Sequence, residues 1–97
     1  MAGKARGRKS IFITGAASGM GRETAKLFHG KGWFVGAYDV NTEGLATLAQ
    51  EIGNDNCHTM RLDVTKKEDF DTAVKAFGEE TDGKMDMLHS NAGVGES

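Results

Sequence analysis

Residues 14–21 of the chain read Thr14-Gly15-Ala16-Ala17-Ser18-Gly19-Met20-Gly21, and this glycine-rich sequence is the strongest indication of the fold. It follows Ser10–Thr14, an apolar and β-branched run typical of a buried strand, and it leads into residues with helical spacing. Gly15 allows a sharp turn, Gly19 leaves room for a phosphate against the backbone, and Gly21 lets the helix pack closely. A helix N-terminus attracts phosphate through its free N–H groups and partial positive charge. Residues 15–21, called the glycine loop below, therefore predict a phosphate-binding turn.

Asp39 is the acidic partner of this loop. It ends the next apolar run, Trp33–Tyr38, and lies 24 residues after Gly15. A carboxylate there can accept both hydroxyls of an adenosine ribose, and it would repel a 2′-phosphate. No Arg or Lys lies in the glycine loop or directly after Asp39. The pattern therefore predicts a dinucleotide site that favours NAD over NADP; the alternative is that Asp39 starts a turn with Asn41.

The remaining chain alternates between helical and strand patterns. Helical spacing relates Met20, Thr24, Leu27, Phe28 and Lys31 before a Gly32 cap, and then Leu45, Leu48, Ala49 and Ile52. Thr65 and Glu68 predict a capping box for a third helix, whose apolar stripe is Phe70, Ala73, Val74 and Phe77. Two further strands are predicted at Cys57–Leu62 and Met85–Ser90. The order β-α-β-α-β-α-β predicts an α/β fold with a parallel sheet.

Composition and charge exclude several classes of protein. Of the 97 residues, 14 are glycine and 38% are hydrophobic, which argues against a disordered or collagen-like chain. Four of the twelve basic residues lie in the first ten positions, and four charges are too few for tight nucleic-acid binding. We therefore expect a solvated basic tail at residues 1–9. A single cysteine and the lack of a signal-like or membrane-spanning apolar run predict a cytoplasmic protein without disulfides.

Taken together, these stretches resemble the short-chain dehydrogenase/reductase family. The spacing G-x-x-x-G-x-G fits that family, and a P-loop pattern cannot be laid over it. Four further stretches are similar to the family: Gly32–Val35, Leu62–Thr65, Phe77–Leu88 and the Asn91-Ala92-Gly93 motif. The resemblance covers residues 10–95 and implies that 10–97 form a partial, Rossmann-type, doubly wound NAD(P)-binding domain. The implied strand order is 3-2-1-4.

The resemblance also implies cofactor contacts. Asp63 would accept the adenine amino group beside the Val64 backbone, or alternatively serve as a turn residue before Thr65. Asn91 to Gly93 would brace the fourth strand and line the ribose side, or alternatively start a plain loop. The predicted cofactor-binding residues are Gly15, Ser18, Gly19, Met20, Gly21, Asp39, Val40, Asp63, Val64, Asn91, Ala92 and Gly93.

The chemistry that the resemblance implies is hydride transfer between a nicotinamide and an alcohol or carbonyl substrate. The family uses a tyrosine with a lysine four positions later, a serine and an asparagine. Here the single tyrosine, Tyr38, stands in a strand and is followed four positions later by Thr42, so no catalytic residue is predicted. His29 and His58 lack partners at ligand spacing, so no metal site is predicted.

Three hypotheses follow. The first is the N-terminal NAD-binding part of a short-chain dehydrogenase, truncated before its catalytic residues and inactive by itself. The second is a non-catalytic NAD- or adenine-nucleotide-binding module, and the third is a protein that keeps only the fold.

Under the first hypothesis the C-terminal half of the domain is missing. We then expect an exposed fourth strand and incomplete cover over part of the surface formed by Ile11, Phe12, Ile13, Trp33 and Val35. We also expect the isolated chain to be marginally stable or to aggregate. Neither the substrate nor the oligomeric state can be derived.

Overall fold

A computed structural model describes residue 5 and residues 7–90 of the chain. Its elements alternate along the chain and form one four-stranded sheet of order β3-β2-β1-β4, in which every pair of neighbours is parallel. The predicted α/β topology and strand order are therefore confirmed. The elements are β1 (Ser10–Thr14), α1 (Gly19–Gly30), β2 (Phe34–Asp39), α2 (Thr42–Ile52), β3 (Cys57–Arg61), α3 (Lys67–Thr81) and β4 (Met87–Ser90).

Two apolar clusters hold the helices to opposite faces of the sheet. Alternate residues of a strand point to opposite faces, so Ile11 and Ile13 enter one cluster while Phe12 enters the other. On the first face the strands pack against α1 and α2, through Ala25, Leu45 and Leu48 among others. The second cluster joins the sheet to α3 and comprises Ala5, Phe12, Phe34, Tyr38, Leu62, Ala73 and Phe77. The sheet therefore has helices on both faces, as a doubly wound fold requires.

The start of α3 differs from the sequence prediction. The N-cap is Lys66, which makes no side-chain capping bond, so the Thr65–Glu68 capping box is wrong. Thr65 instead donates its hydroxyl to the Asp63 carboxylate at 2.6 Å. The aspartate two residues earlier competes successfully for the hydroxyl that a cap would use. The predicted Met85–Ser90 strand also starts later, at Met87.

The burial of apolar residues also differs from the sequence prediction in two ways. Helix α1 buries Gly21 and Ala25, whereas Leu27 is 57% exposed, contrary to its place in the predicted helical face. The gaps expected over Ile11, Phe12, Ile13 and Val35 are absent, because β1 and β2 are interior strands with helices on both faces. Trp33 is only partly buried, as the prediction allowed. Exposed apolar surface lies instead on the edge strand β4, where Met87 and Leu88 are 42% and 51% exposed. The prediction of an exposed fourth strand is confirmed, and that of an uncovered β1 is wrong.

The basic tail is not solvated throughout. Ala5 is buried in the cluster under α3, and its N–H donates to the Glu80 carbonyl oxygen at 2.9 Å. Further along, the Lys9 ammonium lies 5.7 Å from the centre of the Trp33 ring. The solvation expected of residues 1–9 is therefore wrong at Ala5, because this small side chain fills a place in the second cluster.

Candidate functional site

The glycine loop lies where the carboxyl end of β1 meets the N-terminus of α1. Gly15 and Gly19 have positive φ values of 70° and 60°, a conformation that favours glycine. A Cβ on Gly19 would meet no atom of the described chain within 4 Å, so the backbone there faces open space. A Cβ on Gly21 would clash with the Gly15 carbonyl oxygen. The loop is therefore closed on its helix side and open on the side where a ligand could approach the backbone.

The first turn of α1 is suited to an anion. Its N-cap Ser18 makes no side-chain capping bond within the described chain, and the turn contains no acidic residue. The partial positive charge of the helix end is therefore not offset by a carboxylate in its own first turn. Ser18 directly precedes this turn, and Met20, which lies within it, is 69% exposed.

Asp39 at the end of β2 is tied directly to the glycine loop. Its Oδ2 accepts the N–H of Ala17 at 2.9 Å, and its Oδ1 accepts the N–H of Asn41 at 3.0 Å. The turn with Asn41 is therefore present, as the alternative interpretation predicted, and one carboxylate also anchors the loop. Two backbone N–H donors hold the carboxylate in place at the carboxyl end of β2, next to the half-exposed Val40.

Backbone hydrogen bonds connect the carboxyl ends of neighbouring strands. The Ala16 N–H donates to the Tyr38 carbonyl oxygen at 3.1 Å, and the Leu62 N–H donates to the Asp39 carbonyl oxygen at 3.1 Å. The segments after β1, β2 and β3 therefore lie side by side. This is the place where ligands bind in open α/β sheets, outside the carboxyl ends of the strands.

Asp63 occupies a turn after β3. Its Oδ1 accepts both the Thr65 N–H at 3.0 Å and the Thr65 hydroxyl at 2.6 Å. These two bonds, with the hydroxyl as the larger cause, lower the pKa of the Asp63 carboxyl. The alternative role of Asp63 as a turn residue is therefore present, although the predicted Thr65 cap is not. The neighbouring Val64 is 39% exposed at the same edge.

Replacing Thr65 with valine should raise the pKa of Asp63 toward its ordinary value, because the larger of its two donors is lost. A carboxyl with a lowered pKa stabilises the fold above its unfolded pKa, and this stabilisation disappears as pH falls through the folded pKa. The variant should therefore lose less stability on acidification. A carboxyl NMR titration checks this, with Lys66→Gln as a control that should move the pKa less. An unchanged Asp63 pKa in Thr65→Val would contradict the assignment.

The described residues end at Ser90, so they include the end of β4 but not the motif that follows it. Thr14 at the end of β1 donates its hydroxyl to the Ser90 hydroxyl at 3.3 Å, which links β1 to β4. Asn91, Ala92 and Gly93 lie outside the described residues. Within residue 5 and residues 7–90, no cluster of three potential metal ligands occurs. None of the helices in that part of the chain is long and apolar enough to cross a membrane.

Tyr38 has a structural role in this chain. Its ring is buried in the second cluster, and its hydroxyl lies 2.8 Å from His58 Nδ1. Burial, followed by the charges of Cys57 and Glu80, raises the pKa of the hydroxyl. The Tyr38 side chain is therefore part of the packing between the sheet and α3.

Arg22 is the residue of this region that sequence reasoning missed. Its guanidinium Nη1 donates to the carbonyl oxygen of Ala17 in the glycine loop at 3.2 Å. Its position directly after Gly21 could have drawn attention to Arg22 in the sequence. Its significance depends, however, on partners in α2 that are 22 and 29 residues away.

Comparison with known proteins identifies the family. The family model for short chain dehydrogenases matches residues 9–97. The chain belongs to the short-chain dehydrogenase family. A curated relative from Arabidopsis thaliana, short-chain dehydrogenase reductase 3b, is 43% identical over 94 residues, which are 97% of this chain and 36% of the relative. The chain thus spans about a third of the length of the curated relatives it matches.

Solved structures of this family show the same fold. A 3-ketoacyl-(acyl-carrier-protein) reductase from Brucella melitensis complexed with NADH matches 82% of this chain and 32% of its own, with 39% identity and a TM-score of 0.77. Actinorhodin polyketide ketoreductase with NADPH matches 97% of this chain and 36% of its own, with 29% identity and a TM-score of 0.83. The chain thus has the Rossmann-type fold of the short-chain dehydrogenase family and corresponds to about a third of each of these structures. The two neighbours carry different dinucleotides.

Proposed function

We propose that this chain binds the adenosine and pyrophosphate half of NAD for an oxidoreductase that acts on an alcohol or carbonyl substrate. The observation that carries the proposal is the Asp39 carboxylate, held against the glycine loop by the Ala17 N–H at 2.9 Å. Ala17 lies two residues before Gly19, where α1 begins and where the backbone faces open space. The bound nicotinamide would supply the hydride chemistry.

Each predicted residue has a role in this proposal. Gly15, Ser18, Gly19, Met20 and Gly21 would line the pyrophosphate, since they form the open turn and the helix end. Asp39 and Val40 would border the adenosine ribose. Asp63 and Val64 would border the adenine, and the resemblance extends the site to Asn91, Ala92 and Gly93. Tyr38 takes no part in hydride transfer in this proposal, because its ring is buried and its hydroxyl lies 2.8 Å from His58 Nδ1.

Charge supports NAD rather than NADP. A 2′-phosphate would lie against the Asp39 carboxylate, and like charges in such a position cost several kcal/mol. Arg22 is the basic side chain next to the loop, but its guanidinium already donates to Ala17, Gly44 and Glu51. It is therefore not free to bind the extra phosphate without giving up these bonds.

The test is a fluorescence titration of the purified chain with NADH and with NADPH. We expect NADH to bind at least about tenfold more tightly, the equivalent of about 1.4 kcal/mol. ADP-ribose should compete with NADH, since it contains the half that the chain would hold, and nicotinamide mononucleotide should not. Equal affinity for NADH and NADPH would overturn the preference, and absence of binding to both would overturn the proposed function.

A further inference from the structure

We propose that Arg22 is a positioning residue that holds the glycine loop at Ala17, so that the loop and the Asp39 carboxylate stand ready for the dinucleotide. The inference rests on the proposed function and deepens it. It concerns a side chain that needs no contact with the cofactor, because Arg22 would act through the backbone of the loop.

Ala17 is held from both sides. Its N–H donates to Asp39 Oδ2 at 2.9 Å, and its carbonyl oxygen accepts from Arg22 Nη1 at 3.2 Å. Its side chain is also buried, at 5% exposure. The two polar groups of one loop residue are thus bonded to side chains from two different elements. These two side-chain bonds add to the backbone bond from the Ala16 N–H to the Tyr38 carbonyl oxygen.

Arg22 is itself anchored to α2. The same Nη1 lies 3.0 Å from the Gly44 carbonyl oxygen in the first turn of α2, and Nη2 lies 2.9 Å from Glu51 Oε1 near its end. The first turn of α2 touches the loop closely, since a Cβ on Gly44 would lie 2.7 Å from the Ala17 Cβ. Arg22 therefore connects α1, α2 and the glycine loop through one planar group.

The residue type fits this role better than a general packing role. A cation in the first turn of a helix is disfavoured by the helix dipole, so Arg22 is in an unfavourable place unless its charge is balanced. Glu51 supplies that balance, and hydrogen bonds from Lys26 and then Arg22 lower the pKa of its carboxyl. A guanidinium can serve several acceptors at fixed angles, whereas a lysine ammonium is a point charge on a flexible stem.

The experiment compares Arg22→Ala, Arg22→Lys and Glu51→Gln in the full chain. NADH affinity is measured by fluorescence, stability by urea unfolding, and loop protection by amide hydrogen exchange without ligand. Arg22→Ala should weaken NADH binding about tenfold and speed exchange of the Ala17 amide relative to the Ile13 amide in β1. Arg22→Lys should recover part of both losses, because it keeps a charged donor.

Glu51→Gln is the matched control. It removes the ion pair at Nη2 but leaves the Nη1 bonds to Ala17 and Gly44, so it should lower stability without weakening NADH binding more than about twofold. The inference would be overturned if Arg22→Ala bound NADH within twofold of the unchanged chain. It would also be overturned if Glu51→Gln lost as much NADH affinity as Arg22→Ala. If the unchanged chain binds no NADH, the proposed function fails. Unchanged Ala17 exchange in Arg22→Ala separately overturns the positioning role.

Discussion

Replacing Gly21 with alanine is expected to destabilise the chain by about 1–3 kcal/mol and to remove detectable NADH binding. The new Cβ would clash with the Gly15 carbonyl oxygen and lie 2.7 Å from the Gly15 carbonyl carbon. Both contacts are with backbone atoms, so no side chain can rotate to relieve them. Either α1 moves away from β1 or the glycine loop changes its path, and each change displaces the proposed pyrophosphate site.

Gly30→Ala is the matched control in the same helix. A Cβ on Gly30 would meet no atom of the described chain within 4 Å, and the residue lies within α1. Alanine should therefore leave NADH affinity unchanged and raise stability by up to about 1 kcal/mol. Urea unfolding and NADH titration of both variants check the prediction. Wild-type stability and affinity in Gly21→Ala would show that the close approach of α1 to the loop is not required.

Replacing Asp39 with alanine is expected to weaken NADH binding about tenfold to a hundredfold and to remove most of the preference for NADH over NADPH. Hydrogen bonds to charged groups contribute about 1.5–3 kcal/mol, and 1.4 kcal/mol corresponds to a factor of ten. The alanine loses the proposed ribose acceptor and its repulsion of a 2′-phosphate. It also releases the N–H groups of Ala17 and Asn41.

Asp39→Asn separates the charge from the anchoring of the loop. Its amide oxygen can still accept one of the two backbone N–H groups, while the negative charge is gone. We expect this variant to lose the preference against NADPH with a smaller loss of NADH affinity and of stability than Asp39→Ala. Parallel titrations with NADH and NADPH measure the outcome. A preference for NADH that persists in both variants would show that Asp39 does not select the dinucleotide.

Much of the architecture was predictable because its signals are local. The short apolar runs, the helical spacing between them and the glycine loop predicted seven elements in the correct order, and the family resemblance supplied the strand order that the structure shows. Two of the failures show why local signals are not enough. Thr65 could cap α3 or bond Asp63, and the sequence does not show which acceptor lies closer. Leu27 fits a helical repeat, but the buried face of α1 follows Gly21 and Ala25 instead.

Residue type and spacing within a short window were enough to predict the glycine loop, the acidic residue at the end of β2 and the alternation of elements. How the site is held together became visible only in the folded chain. The bonds from Ala17 to Asp39 and Arg22, and from Arg22 to Gly44 and Glu51, join positions up to 29 residues apart. Such contacts arise because the carboxyl ends of parallel strands lie at the same end of the sheet, where residues distant in the chain become neighbours.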